Sequence, residues 1–168
     1  MSAARKASRN AKGLSRSQAR LAAVQALYQM DLAETDLSAV IDQFKAHRLG
    51  SEADNGDGTD NSTGAEADPE HFDRLLRGVV RRQREIDPMI DQQLAQGWRL
   101  TRIDSILRAI LRAGAFELIE LGDVPPRVII SEYIDVAHAF FEGDEPRVVN
   151  GVLDSLARKL RPGELPER

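Results

Sequence analysis

"TRIDSILRAILRAGAFELIEL", Thr101 to Leu121, decides the fold. Ile103, Ile106, Leu107, Ile110, Leu111, Phe116, Leu118 and Ile119 recur at helical spacing. They cover so wide an arc that the helix belongs at the centre of a bundle rather than on its rim. Thr101 reads as the N-cap, with Asp104 three places on as its capping-box partner. Gly114 inside a helix costs about 1 kcal/mol relative to Ala, which points to a close crossing with a second helix. The stop signal follows in Gly122-Asp123-Val124-Pro125-Pro126.

Outward from this segment every periodic stretch is helical. A helix starting near Pro126 carries Ile129, Tyr133, Ile134, Val136, Ala137 and Phe140. Val128-Ile129-Ile130 resembles a strand, but no second strand exists to pair with it. A last helix after Gly143-Asp144-Glu145-Pro146 holds Val148, Val149, Val152, Leu153, Leu156 and Leu160. Asn150-Gly151 is ordinarily a turn signal; the helical spacing on both sides of it overrides that reading.

Upstream, Asp68-Pro69 reads as an N-cap followed by proline in the first turn. Phe72, Leu75, Leu76, Val79, Val80 and Ile86 form a core stripe, and Asp87-Pro88 marks a restart or kink. Met89, Ile90 and Leu94 continue the helix and Gly97 ends it. Arg77, Arg81, Arg82 and Arg84 read as its solvated face, with nucleic-acid contact as the sharper alternative. The first helix, capped by Ser15 or Ser17, carries Leu21, Val24, Leu27, Tyr28 and Leu32. The second, capped by Asp36 or Ser38, carries Leu37, Val40, Ile41 and Phe44. The expected fold is all-α, a compact bundle of about seven helices without a strand.

The chain has 168 residues, 42% of them hydrophobic, with no cysteine and a net charge of −4. Disulfide scaffolds and thiolate metal sites are excluded. No apolar run reaches the roughly 18–20 residues of a membrane span, and no signal-peptide pattern opens the chain. A cytoplasmic protein is expected.

The charge is segregated. Arg5, Lys6, Arg9, Lys12, Arg16 and Arg20 precede the first acid, Asp31. Between Leu49 and Asp73 there are seven acids up to Glu70 and no Lys or Arg. The segment 1–14 reads as a disordered basic arm, 15–162 as the helical domain and 163–168 as a loose tail. The polar, Gly- and Asp-rich stretch 50–69 reads as a disordered acidic insertion, since it lacks the apolar surface to offset its ordering entropy. Asp54, Asp57 and Asp60 fail the spacing of a calcium loop. Asn61-Ser62-Thr63 matches a glycosylation sequon in the same polar tract.

Catalysis finds little support. There is no cysteine nucleophile, no Gly-rich phosphate loop and no paired-histidine metal motif. His47, His71 and His138 are far apart, and no nucleophile–base–orienter set can be assembled. No cofactor or metal is expected. Nucleic-acid binding fares better: the basic arm attracts phosphate without needing a pocket, and Arg16 and Arg20 lie four apart on one helical face. Its bland alternative is a solvated tail.

Three features together resemble a known family. "RSQARLAAVQALYQMDL" (16–32) is similar to the first helix of the NusB transcription antitermination factors. "ILRAGAFELIELGDVPP" (110–126) and "VNGVLD" (149–154) are similar to their C-terminal half. The likeness covers Arg16 to Asp36 and Asp68 to Pro162, and not the insertion. It implies two three-helix-like subdomains and binding of boxA RNA jointly with ribosomal protein NusE, within an antitermination complex on RNA polymerase and without catalysis. It implies RNA contacts at Arg16 and Arg20, with Arg9 and Lys12 upstream, and at Asp144 and Arg147. Leu107 stands where relatives often place a Glu facing the partner, and Tyr28 is either partner-facing or a core aromatic.

The alternatives are a helical protein-interaction module without specific RNA binding, a homodimer, and the helical domain of an RNA methyltransferase. For the last, a chain ending at Arg168 is expected to lack the catalytic domain.

Overall fold

The computed structural model describes the backbone of residues 2–47 and 67–167, and the side chains of 16–44, 46 and 67–167. The calcium-loop and sequon positions, and the acidic insertion up to Glu66, lie outside the described residues.

Among the described residues there are six helices and no strand: α1 (Ser2–Ala33), α2 (Leu37–His47), α3 (Pro69–Gln93), α4 (Ser105–Glu120), α5 (Pro126–Phe140) and α6 (Glu145–Leu160). The all-α expectation holds, with six helices in place of about seven because α3 runs unbroken through Pro88. α1, α2 and α3 pack mutually, as do α4, α5 and α6. α4 also packs on α1 and α3, so it is the central helix that its wide apolar arc predicts. One continuous core results, with Phe72, Leu75, Ile86, Leu107, Ile110, Phe116, Tyr133 and Leu153 among its buried members.

Two of the expected helix starts move. α4 begins at Ser105, and its cap is Asp104, whose carboxylate accepts from the backbone N–H groups of Ile106 and Leu107. Thr101 lies in the turns before it, because Asp104 reaches those two donors first. α1 runs back to Ser2 rather than starting at Ser15 or Ser17, so helical backbone carries the positions read as a basic arm. The Asp68 cap is as expected: its side chain accepts from Glu70 and His71 N–H, with Pro69 in the first turn. Asn150-Gly151 lies inside α6 and Val128-Ile129-Ile130 inside α5.

Glycine makes two of the crossings. At Gly114 an added Cβ would lie 2.7 Å from Leu153 Cδ1, which places α6 directly against α4. Gly78 does the same for α3 and α4: a Cβ there would lie 2.1 Å from Phe116 Cζ.

At the far end of α4, Arg161 is 7% exposed and donates to the carbonyls of Leu118 (3.0 Å), Leu121 and Val124. A guanidinium there satisfies carbonyls that a helix end leaves unpaired and meets the negative end of the helix dipole. It also ties the end of α6 to α4. The tail beyond it is partly docked, with Leu165 against the core and the Pro166 carbonyl accepting from Arg158.

Candidate nucleic-acid and partner interface

The first helix carries residues of two different fates. Arg16 is half-buried at the surface. Arg20, four positions on and on the same face, is 2% exposed. Its Nε donates to Glu117 Oε2 at 2.8 Å and its Nη2 to Oε1 at 2.9 Å. Glu132 on α5 stands 3.7 Å from Arg20 Nη1 and also accepts from the Ser17 hydroxyl. A guanidinium enclosed and paired at two points is not available to a phosphate. The expected RNA contact at Arg20 is therefore corrected to a structural role. The side chains of Arg9 and Lys12 lie outside the described residues.

Glu117 is the hub of this buried cluster. Tyr133 Oη donates to its Oε2, and His71 Nε2 lies 3.5 Å from its Oε1 without forming a hydrogen bond. Burial pushes the carboxyl pKa up, but the nearby His71 and the hydrogen bonds and charge of Arg20 outweigh burial and hold it down at about 2. Burial works against the charge on Arg20, yet the Glu117 hydrogen bond and charge raise its pKa above the ordinary range. Burial and the neighbouring Glu117 charge push the Tyr133 phenol well above its ordinary value. Glu117 is 0% exposed, and the cluster acts as a polar bolt between α1, α3, α4 and α5.

At the start of α6, Asp144 and Arg147 are both exposed. Asp144 occupies the cap position, but its carboxylate makes no capping hydrogen bond, leaving it to face outward. Proline in the first turn contributes no N–H there, in keeping with its place in the helix. Arg147 N–H donates to the Asp144 carbonyl at 2.9 Å, which holds the two residues in one turn.

A groove of about 460 Å³ runs between α1, α2 and the ends of α4 and α5, lined by Val24, Tyr28, Leu32, Phe44, Ile106 and Phe140. Tyr28 is half-buried along it rather than a member of the closed core, and Leu32 is 61% exposed. Leu107 is 1% exposed. Its expected partner contact is corrected: the helical phase of α4 turns Leu107 into the core and gives the groove to Ile106.

The arginines of α3 are largely occupied. Arg77 pairs with Asp73, Arg81 with Glu120, and Arg82 with Glu120 and Glu85. Their solvated-face reading describes them; exposed pairs of this kind contribute little to stability. Among the described residues no group of three His, Asp or Glu side chains converges to hold a metal, and no helix is long and apolar enough to cross a membrane.

The NusB family profile matches residues 17–158. The chain belongs to the NusB family. A transcription antitermination protein NusB from Bartonella henselae is 51% identical over 146 residues, 87% of this chain and 89% of that protein. A NusB of T. maritima, 28% identical, superposes with a TM-score of 0.70 over 89% of this chain and 94% of its own. A crystal structure of antitermination factors NusB and NusE in complex with dsRNA has the same fold, with a TM-score of 0.69 at 24% identity over 86% of this chain and 97% of that one.

Set against the NusB family resemblance, the structure keeps Arg16, Asp144 and Arg147 at the surface and withdraws Arg20 and Leu107. Sequence reasoning missed Glu117, His71 and Arg161 as polar members of the interior. The available signal for Glu117 was its place between Phe116 and Leu118 in the apolar stretch that follows Arg112. It missed Trp98 as well, an exposed indole in the turn "AQGWRL" (95–100).

Proposed function

We propose that this chain is an RNA-binding transcription antitermination factor. It binds boxA-type RNA together with ribosomal protein NusE and promotes antitermination, chiefly of ribosomal RNA transcripts, as part of a complex on RNA polymerase. It works in the cytoplasm and catalyses no reaction. Membership of the NusB family carries this reading, and two surface features support it.

The first is the pair of RNA-facing segments. Arg16 is at the surface of α1, downstream of Arg9 and Lys12 in the sequence, and Asp144 and Arg147 open α6. Cations neutralise phosphate and release counterions without reading sequence. A carboxylate beside them accepts from a base amino group or orients the arginine, which adds discrimination. The second is the apolar groove at Tyr28, rimmed by the exposed Leu32. An apolar patch with a polar rim suits a protein partner, and a net charge of −4 suits a basic ribosomal protein.

The test is a titration of boxA-type RNA and a scrambled control, with and without NusE, at several salt concentrations. The specific RNA binds more tightly, NusE strengthens it, and log affinity falls against log salt with a slope of about −0.7 per phosphate neutralised. Equal binding of both RNAs in the presence of NusE overturns the reading in favour of a helical interaction module. Light scattering without NusE reports whether two copies close the same groove as a homodimer.

A further inference from the structure

Trp98 is the one tryptophan of the chain, and it is 43% exposed. The turn that carries it is firmly built. Trp98 N–H donates to the Ala95 carbonyl at 2.9 Å, and Gly97 between them takes φ +92°, the left-handed value that the third position of a type II turn requires. Two residues on, Leu100 is held from both sides. Its N–H donates to Asp91 Oδ1 at 3.0 Å, and its carbonyl accepts from Arg108 Nη1 at 3.1 Å. Arg108 is itself paired with Asp31 on α1 at 2.5 Å. The indole thus stands on a fixed platform, and fixing a contact group beforehand lowers the entropy lost when a ligand binds.

Trp98 shares a shallow depression of about 280 Å³ with the first half of α6. Leu94, Val148 and Val152 supply apolar walls, and Arg147 and Gln93 supply polar ones. Gly151 leaves the opposite wall bare: a Cβ built there meets nothing within 4 Å. The indole, Leu94, two valines and a glycine thus line one open depression that a flat aromatic ring can enter.

We propose that Trp98 stacks on one unpaired base of an RNA strand whose phosphate is held by Arg147. The proposal rests on the RNA-binding reading above and adds a specific contact to it. Three observations favour a nucleobase. The aromatic face is joined to a guanidinium, the combination that single-stranded nucleic acid uses. The depression is continuous with the exposed start of α6. Its polar edge at Gln93 offers an amide donor and acceptor to a base edge. A base within a duplex has both faces covered by its neighbours, so the site selects single-stranded RNA.

The lone tryptophan is its own reporter. The full chain is titrated with single-stranded boxA-type RNA while indole emission and the anisotropy of the labelled RNA are followed together, for the wild type, Trp98→Ala and Trp98→Phe. Emission falls in step with binding. Trp98→Ala weakens the RNA about 5- to 100-fold, Trp98→Phe retains most of the affinity, and the melting temperature of both variants stays within the error of the wild type. An RNA lacking the base at one position binds the wild type and Trp98→Ala alike. RNA that binds by anisotropy with Trp98→Ala unimpaired overturns the stacking proposal and leaves the RNA-binding reading standing. Failure of the wild type to bind RNA overturns both. A Trp98→Ala defect confined to NusE binding assigns the indole to the protein partner and overturns the proposal.

Discussion

Arg20 on α1 and Glu117 on α4 form a two-point ion pair closed to solvent, with contacts of 2.8 and 2.9 Å. It joins the first subdomain to the second at the centre of the molecule. Breaking a buried pair from one side is far more damaging than the pair's own net worth, since the remaining charge keeps its desolvation penalty. Arg20→Ala is expected to lower stability by about 3–5 kcal/mol. Arg16→Ala, four residues away at the surface, leaves stability within about 0.5 kcal/mol and weakens RNA binding. Urea titrations of the two variants distinguish them. Equal stability in both would show that Glu117 finds a substitute partner, with Tyr133 and His71 the nearest groups.

The same pair makes the fold acid-sensitive in a defined window. In the folded chain its neighbours hold the Glu117 carboxyl down at about 2, against an ordinary value of 4.5. A depressed folded pKa contributes stability that is fully present above the unfolded value and is lost as pH falls through the folded one. The loss therefore runs from about pH 4.5 down to about pH 2 and amounts to on the order of 3 kcal/mol. Glu117→Gln is less stable than the wild type at pH 7, and its stability falls less steeply over that window. Urea midpoints at pH 7, 4.5, 3 and 2 give the difference between the two curves. Parallel curves would assign the acid sensitivity to other carboxylates.

Gly78 and Gly114 are both helical, and replacing either with Ala gains about 1 kcal/mol of helix propensity. The packing term separates them. The Cβ of Gly78→Ala would lie 2.1 and 2.2 Å from two atoms of the Phe116 ring, a buried and rigid neighbour. At Gly114→Ala the nearest atom is a terminal methyl of Leu153, 2.7 Å away, which a rotation relieves in part. Overpacking costs about 1–3 kcal/mol, so Gly78→Ala is expected to be net destabilising and Gly114→Ala close to neutral. Combining Gly78→Ala with Phe116→Leu tests the assignment: strongly non-additive stabilities place the clash on that ring, and additive ones do not.

The helical architecture was legible because the residues that make it act locally. Asp68-Pro69 and Glu145-Pro146 set helix starts through short-range rules, and the wide apolar arc of Thr101–Leu121 led directly to the central position of α4. Gly114 disclosed its crossing because a glycine in a helix needs a reason. What stayed hidden depended on partners distant in the chain. Arg16 and Arg20 are equivalent as charges on one helical face, and Glu117 and Glu132, 97 and 112 residues beyond Arg20, make one structural and leave the other at the surface. Nothing local to Arg161 marks it as buried; its carbonyl partners lie 37 to 43 residues upstream. Leu107 and Ile106 are adjacent apolar residues whose fates differ by the rotation of one position on α4.

That rotation yields the remaining prediction. Ile106 faces the Tyr28 groove, while Leu107 faces the core with 1% exposure. Leu107→Ala is expected to destabilise the fold by about 2–5 kcal/mol through loss of buried surface and a residual cavity, and to affect partner binding only as far as it unfolds the chain. Leu32→Asp acts in the opposite sense. Leu32 is 61% exposed at the groove rim, so a carboxylate there is solvated in the free protein and leaves the melting temperature nearly unchanged. On docking, that carboxylate is stripped of water against the apolar face of the partner, and an unpaired charge in such a place is strongly disfavoured. Pull-down and calorimetry with NusE, read beside thermal melts, separate the two effects. A stable Leu32→Asp variant that binds NusE as the wild type does would remove the groove as the partner surface; a loss of binding at unchanged stability assigns the groove to the interface.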